Sequence, residues 1–289
     1  MSLHANVIVP VLFLLSLLSA PPAFADRDIV YAARYYAPPG SHRTSHFHIY
    51  RINPDGTGKT QLTFGRADDY KPKWSPDGRR ITYVQANGDF SLLTLCEIRP
   101  NGSGRRVLKR LDSSWEATPP PVPGYHLENV GSESDDTTQH VLINLRTGRH
   151  LALKVPAHDD LSDVLMPMPG HGLVYAANNR NSTIGTNYLF YRLNPDTGAL
   201  HYLTEGRFIA WSPDGSQFCI APGRETASYE KRPQPYAVEK GASKDDVTVA
   251  EYRQVSVAPL SVRATAGGPM RQLTPRLSEV EAADWRKVK

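Results

Sequence analysis

Residues 69–84 read D-Y-K-P-K-W-S-P-D-G-R-R-I-T-Y-V, and residues 208–221 read F-I-A-W-S-P-D-G-S-Q-F-C-I-A. W-S-P-D-G therefore occurs twice, and a fixed period between copies would decide the fold class. Aligned on the turn glycine, the chain carries one pattern four times: Gly78 and Gly215 in W-S-P-D-G, Gly124 in P-V-P-G-Y-H-L-E-N-V and Gly170 in P-M-P-G-H-G-L-V-Y-A. In each, Pro stands just before the turn and a β-rich run follows it. The spacings are 46, 46 and 45 residues, close to the length of a four-stranded propeller blade.

The strands of a repeat can be placed from alternation and turn chemistry. Tyr70–Ser75 alternates and runs into Pro-Asp-Gly, so it reads as an inner strand leading into a tight hairpin. Arg80–Gln85 is the second strand, Ser91–Ile98 the third, and Arg105–Leu108 the fourth, after the turn at 100–104. The third-strand, turn, fourth-strand unit recurs at Phe47–Thr63, at Tyr188–Leu203 and, degenerate, at His140–Val155; Tyr252–Leu260 with Met270–Thr274 supplies the last. Asp28–Ala33 reads as a second strand with no first before it, and Val280–Trp285 as a first strand with no second after it. Pairing them closes a ring and removes the exposed edges that would template aggregation. The expected fold is all-β: a β-propeller of four-stranded antiparallel blades, five by this count with a sixth left open, occupying 26–289. The segment 223–249, rich in charge and Pro, is read as a loop insertion. Trp74 and Trp211 are expected to fill gaps between blades, and Asp77-Gly78 and Asp214-Gly215 to supply positive φ in the hairpins.

The stretch P-K-W-S-P-D-G-R-R-I-T-Y-V at 72–84, with I-Y-R-I-N-P-D-G-T-G-K-T-Q-L-T-F at 49–64 before it, resembles the WD-like propeller repeat of the TolB family. The same repeat occurs in propeller domains of prolyl-oligopeptidase-like peptidases. Two copies carry the full motif; Pro121-Val122-Pro123 and Pro167-Met168-Pro169 replace it in the third and fourth repeats. The resemblance implies a propeller and, by analogy with TolB, a periplasmic binding role. It implies no activity by itself.

Bulk properties narrow the partners. The 33 basic and 29 acidic residues are well mixed and give a net charge of +4, with no like-charge block, so no nucleic-acid partner is expected. Val7–Leu18 is apolar apart from Pro10 and Ser16, and Ala23-Phe24-Ala25 precedes Asp26. Residues 1–25 therefore read as a signal peptide, giving a periplasmic or secreted protein with no membrane span after cleavage; an uncleaved anchor stays open. Cys96 and Cys219 read as small buried hydrophobes, with a disulfide as the alternative in an oxidising compartment.

Motif tests leave catalysis without a carrier. There is no G-x-S-x-G elbow and no H-E-x-x-H, and Gly56-Thr57-Gly58-Lys59-Thr60 sits between strands, where a phosphate loop does not. Asn101-Gly102-Ser103 and Asn181-Ser182-Thr183 fit the short glycosylation sequon. Propeller geometry puts the short Gly/Pro turns on one face and the long loops on the other, and binding uses long loops on a rigid scaffold. The candidate binding residues on that face are Arg34, Tyr35, Asp68, Asp69, Asp89, Trp115, Asp159, Asp160 and Arg207. His42, His46 and His48 are weak metal candidates, since imidazoles near a carboxylate suit zinc or copper; no cofactor is otherwise expected, and a divalent metal stays open. The expected function is binding of a protein, peptide or glycan without catalysis. The alternative is a channel-mouth enzyme, such as a polysaccharide lyase or metal-assisted hydrolase.

Overall fold

The computed structural model describes residues 28–36, 46–87, 92–111, 122–130, 139–155, 164–170, 172–179, 187–221, 225–231, 251–276 and 278–286. The expected signal peptide 1–25, His42, Asp89, Trp115, Asp159, Asp160 and Asn181 lie outside them.

The described residues form strands joined by turns. β1 (Ile29–Tyr35), β2 (His48–Ile52) and β3 (Thr60–Gln61) are followed by β4 (Asp68–Trp74), β5 (Ile81–Ala86), β6 (Leu93–Ile98) and β7 (Arg106–Leu111). Next come β8 (Tyr125–Val130), β9 (Gln139–Asn144) and β10 (Arg149–Leu153), then β11 (Val164–Met168), β12 (Gly172–Asn179), β13 (Asn187–Leu193) and β14 (Leu200–Gly206). The last group is β15 (Phe208–Trp211), β16 (Gln217–Ala221), β17 (Glu225–Lys231), β18 (Glu251–Val257), β19 (Ser261–Ala264), β20 (Arg271–Gln272) and β21 (Ser278–Trp285). They assemble as sheets β21-β1-β2-β3, β4-β5-β6-β7, β8-β9-β10, β11-β12-β13-β14 and β15-β16-β19-β20, with β17-β18 as a separate ribbon. All ladders are antiparallel between neighbours in sequence, except that β21 joins β1 from the far end of the chain and β16 joins β19 across the ribbon. The sheet β8-β9-β10 has three strands among the described residues where four were expected; successive antiparallel sheets, the others four-stranded, with the first completed by the last strand are the topology of a β-propeller.

The W-S-P-D-G residues act as the repeat requires. The Ser75 hydroxyl accepts from Arg80 N at 2.9 Å and donates to Asp77 Oδ1 at 2.5 Å, and Asp77 Oδ1 also accepts from Arg79 N at 3.0 Å. Ser212, Asp214 and Gln217 repeat this arrangement. Each inner-strand Trp packs across the seam to the preceding sheet. Trp74 lies among Val30, Ile49 and Leu62 of the first sheet and Ile81 and Ile98 of its own. Trp211 joins Val174 and Phe190 to Phe218 and Ile220. Trp285 stands in the same role between the last sheet and the first, among Cys219, Leu260, Ile29 and Tyr31. Cys96 and Cys219 are both free and buried, and burial pushes the Cys219 thiol well above its ordinary range.

The two hairpin glycines differ in what surrounds them. Gly78 and Gly215 have φ of +64° and +68°, a region that opposes a side chain. A Cβ on Gly215 would lie 2.6 Å from the Pro169 carbonyl oxygen, a backbone atom of the neighbouring sheet, whereas one on Gly78 would meet the flexible Arg286 side chain at 2.8 Å. Gly78→Ala is expected to cost about 1 kcal/mol from the left-handed backbone alone. Gly215→Ala should cost more, about 2–3 kcal/mol, because the seam must open as well. Urea midpoints of the two variants check the order, and equal losses would contradict the close seam.

The insertion differs from its expected form. Its first residues form β17, which pairs with β18 over Glu225↔Val257 to Lys231↔Glu251. The third strand of that sheet is β19, where Tyr252–Leu260 was expected. Alternation marks Tyr252–Val257 as a strand but does not say which neighbour it pairs with, and here the pairing is local.

Candidate functional site

The site begins with two bulges in neighbouring inner strands. Along β21 and β1, Ala32 pairs with Ala282 and Ala33 with Val280, so Glu281 is the extra residue. Along β4 and β5, Tyr70 pairs with Val84 and Lys73 with Thr82, and Lys71 sits in the bulge with φ of 49°. A bulge bends its strand and re-aims a side chain, and a non-glycine residue at positive φ is a stored strain. Counting back equally from Trp285, Trp74 and Trp211 reaches Glu281, Tyr70 and Arg207. These are equivalent positions near the starts of three inner strands, on the long-loop face.

Glu279, buried with 1% of its side chain exposed, is the anchor. It sits opposite Arg34 in the β21–β1 ladder. Its Oε2 accepts from Arg34 Nε at 2.8 Å, from Arg34 Nη2 at 2.6 Å and from the Tyr36 hydroxyl at 3.0 Å, and Arg207 Nη1 lies 3.7 Å from its Oε1. Burial alone would lower the Arg34 pKa, but the charge and hydrogen bond of Glu279 outweigh it and raise it. The Arg34 guanidinium also lies over the rings of Phe47, at 4.7 Å, and Tyr36, at 5.5 Å. Arg207 donates to Glu281 Oε2 at 2.6 Å and to the Val280 carbonyl at 3.3 Å. Lys71 is half-buried, and desolvation lowers its pKa while Glu281 partly restores it. Arginines held rigidly by buried carboxylates form a fixed polar surface suited to recognition.

The two aspartates next to this cluster hold blades together. Asp68 Oδ1 accepts from Phe47 N at 2.7 Å, and Asp69 N donates to the Phe47 carbonyl at 2.8 Å. The start of β4 is thus latched to the start of β2. Asp69, 1% exposed, also accepts from Gln85 Nε2 at 2.9 Å. His46 Nδ1 stands 3.5 Å from Asp68 and His48 Nδ1 3.6 Å from Asp69. Each imidazole faces its own carboxylate, and the two rings are 6.5 Å apart. Among the described residues no group of three or more His, Cys, Asp or Glu could hold a metal ion. Tyr35 stacks edge-on to Tyr50 and shares a 2.7 Å hydroxyl contact with Tyr31, with Lys59 Nζ 4.5 Å from its ring centre.

Of the candidates named from sequence, the structure brings Arg34, Asp68, Asp69 and Arg207 to one face, with Tyr35 half-buried against the core beside Arg34. Glu279, Glu281 and Lys71 were not foreseen. Carrying the Trp285–Trp74 alignment upstream would have placed both glutamates beside Asp68 and Tyr70.

Burial around the site leaves a titration signature. Burial is the main cause that pushes Tyr36, Tyr50 and Tyr83 up to about 12, from an ordinary 10.0. A group with a raised folded pKa holds its proton in the native state after the unfolded chain has lost it. Stability is then full below about pH 10 and falls as pH rises towards 12. Urea midpoints should decline through that window, and tyrosinate absorbance should appear later in the native protein than in the urea-unfolded chain. Coincident titrations would contradict the buried phenols.

Among the described residues no helix is long and apolar enough to cross a membrane. No family model matches the chain. Over 226 residues it is 24% identical to dipeptidyl-peptidase 5 of Porphyromonas endodontalis, covering 58% of this chain and 31% of that protein. The chain thus spans about a third of the length of the curated relative it matches. Similar solved structures include TolB from Acinetobacter baumannii, with a TM-score of 0.47 and 15% identity, covering 94% of this chain and 69% of that one. An oligogalacturonate lyase from Vibrio parahaemolyticus gives a TM-score of 0.31 and 12% identity, covering 84% and 79%. The recurring hairpin turns, the successive antiparallel sheets and the closure of the first sheet by β21 define the chain as a β-propeller.

Proposed function

We propose that this chain is an exported, periplasmic or secreted β-propeller that binds a protein, peptide or glycan on the face built by the starts of β4, β15 and β21, without catalysis of its own. The observation that carries the reading is the convergence of Arg34, Arg207, Glu279 and Glu281 beside the strained Lys71. Fixed charges on a rigid rim recognise a ligand's polar groups at little ordering cost. The name of the curated relative, a dipeptidyl-peptidase, makes peptides the first ligands to try. Peptide and glycan arrays probed with the full chain test the proposal, with Lys71→Glu as the discriminating variant. The expected result is a ligand whose binding falls at least about tenfold in Lys71→Glu, with the melting transition retained. Arrays without a hit, or a ligand indifferent to Lys71→Glu, would overturn the reading.

A further inference from the structure

A second surface lies on the outer rim of the propeller. β7 is the outermost strand of its sheet, paired to β6 alone among the described strands. Its burial differs from that of the other outer strands. Arg106 to Arg110 are all exposed, with Val107 at 53% and Leu108 at 41%. The outer strands β3 and β20 are two residues each, too short to template a partner; β10 is one residue shorter than β7 and ends in the buried Leu153, and β14 ends in the buried Thr204 and Gly206. The charge is one-sided too. From Arg99 to Leu111 the chain has five basic residues, Arg99, Arg105, Arg106, Lys109 and Arg110, and no acidic one.

The basic residues do not all serve one purpose. Arg105 turns inward, donating to the Tyr83 hydroxyl at 3.1 Å and to Gln85 Oε1 at 2.7 Å. Arg106 touches Glu97 at 2.9 Å yet keeps 65% of its side chain exposed. With Lys109 and Arg110 it makes an exposed strand in which cationic and apolar residues are interleaved.

We propose that β7 is a docking edge for an acidic, extended peptide segment of a partner protein, added as a fifth strand to this sheet. Strand addition takes its affinity from main-chain hydrogen bonds and its selectivity from side chains flanking the edge. Six residues at about 3.3 Å each give roughly 20 Å of edge. The flanking cations select the partner's sign. A second copy of β7 paired parallel and in register would set Arg and Lys against Arg and Lys, and like charges directly opposite destabilise a pair. Basic residues on an edge thus guard against self-pairing while favouring a strand that alternates acidic and apolar residues. The interleaved Val107 and Leu108 distinguish the strand from a plain polyanion surface, which has no use for exposed aliphatic groups.

The test uses the full chain and a fluorescent peptide of alternating Glu and Val, about eight residues long. Controls are a Lys/Val counterpart, the acidic peptide with Pro at alternate positions, and single-stranded DNA of equal charge. Fluorescence anisotropy should show binding of the Glu/Val peptide alone, weakened at least about tenfold by the Pro insertions and by Val107→Asp with Arg110→Glu. Lys71→Glu should leave it unchanged, so this surface and the face at the starts of β4, β15 and β21 fail or succeed separately. Equal binding of the Pro peptide or of DNA would reduce the edge to a charge patch. No binding, or self-association abolished by the same β7 variants, would overturn the proposal in favour of a solvated edge or a second copy.

Discussion

Trp285→Ala is expected to lower the free energy of unfolding by about 3–5 kcal/mol, the largest loss among the three described inner-strand tryptophans. The side chain is fully buried, at 0% exposure, in the cluster that joins the last sheet to the first. Its Nε1 donates to the Ala210 carbonyl at 2.9 Å. Truncation opens a void at the closing seam and also leaves that carbonyl without its donor. Trp74 and Trp211 fill the same position in their own blades, but their Nε1 atoms have no hydrogen-bond partner among the described residues. Trp211→Ala therefore loses packing alone, and Trp74→Ala loses packing and the Arg286 guanidinium 5.3 Å from its ring. Trp285→Phe isolates the hydrogen bond, with an expected cost near 1 kcal/mol beyond the lost volume. Urea unfolding of the four variants gives the ranking. A Trp285→Ala midpoint equal to that of Trp211→Ala would show that the seam does not depend on this contact.

Glu279→Ala is the second large effect. Removing the carboxylate leaves Arg34, 34% exposed, and Arg207, 11% exposed, close together without their shared counter-ion. Breaking a buried pair from one side costs about 3–5 kcal/mol, and the exposure of Arg34 places this case at the lower end. Glu279→Gln keeps an acceptor and the volume, so about half that loss is expected. Arg34→Leu combined with Glu279→Ala should cost less than the sum of the single changes, because the double variant strands fewer charges. Chemical denaturation of the singles and the double measures the coupling. Strict additivity would mean that Arg34 and Glu279 do not act as a unit.

The repeats were legible because their signals are local. Ser, Asp and Gly of W-S-P-D-G make a turn from their own atoms, so the sequence pattern and the hydrogen bonds coincide at Ser75–Arg80 and at Ser212–Gln217. The closing pair was legible for a related reason: β1 and β21 each show one half of a familiar blade, and they pair over Ile29↔Trp285 to Tyr35↔Ser278. The site was legible only in part. Arg34 and Arg207 stood out as charges in loops, but their partners Glu279 and Glu281 lie in a strand far along the chain. A bulge such as that at Lys71 has only an ambiguous local signature, Pro72, because proline suits a bulge and an ordinary edge-strand position alike. Asp68 and Asp69 were read as candidate binding residues, and what sequence could not supply was the Phe47 backbone they hold. The β17 strand was hidden by composition, because charge and Pro in 223–249 look the same in a loop and around a ribbon.

The position of β1 has a consequence for how the molecule forms. This strand lies between β2, which follows it closely, and β21, which follows every other described strand. During synthesis, β1 must wait with one ladder unmade and Ile29, Tyr31 and Ala33 uncovered until β21 arrives. Such long-range pairing slows folding, and a chain halted before Ser278 would be an open arc with a sticky margin. The first sheet therefore gains its fourth strand only after every other described strand has been made.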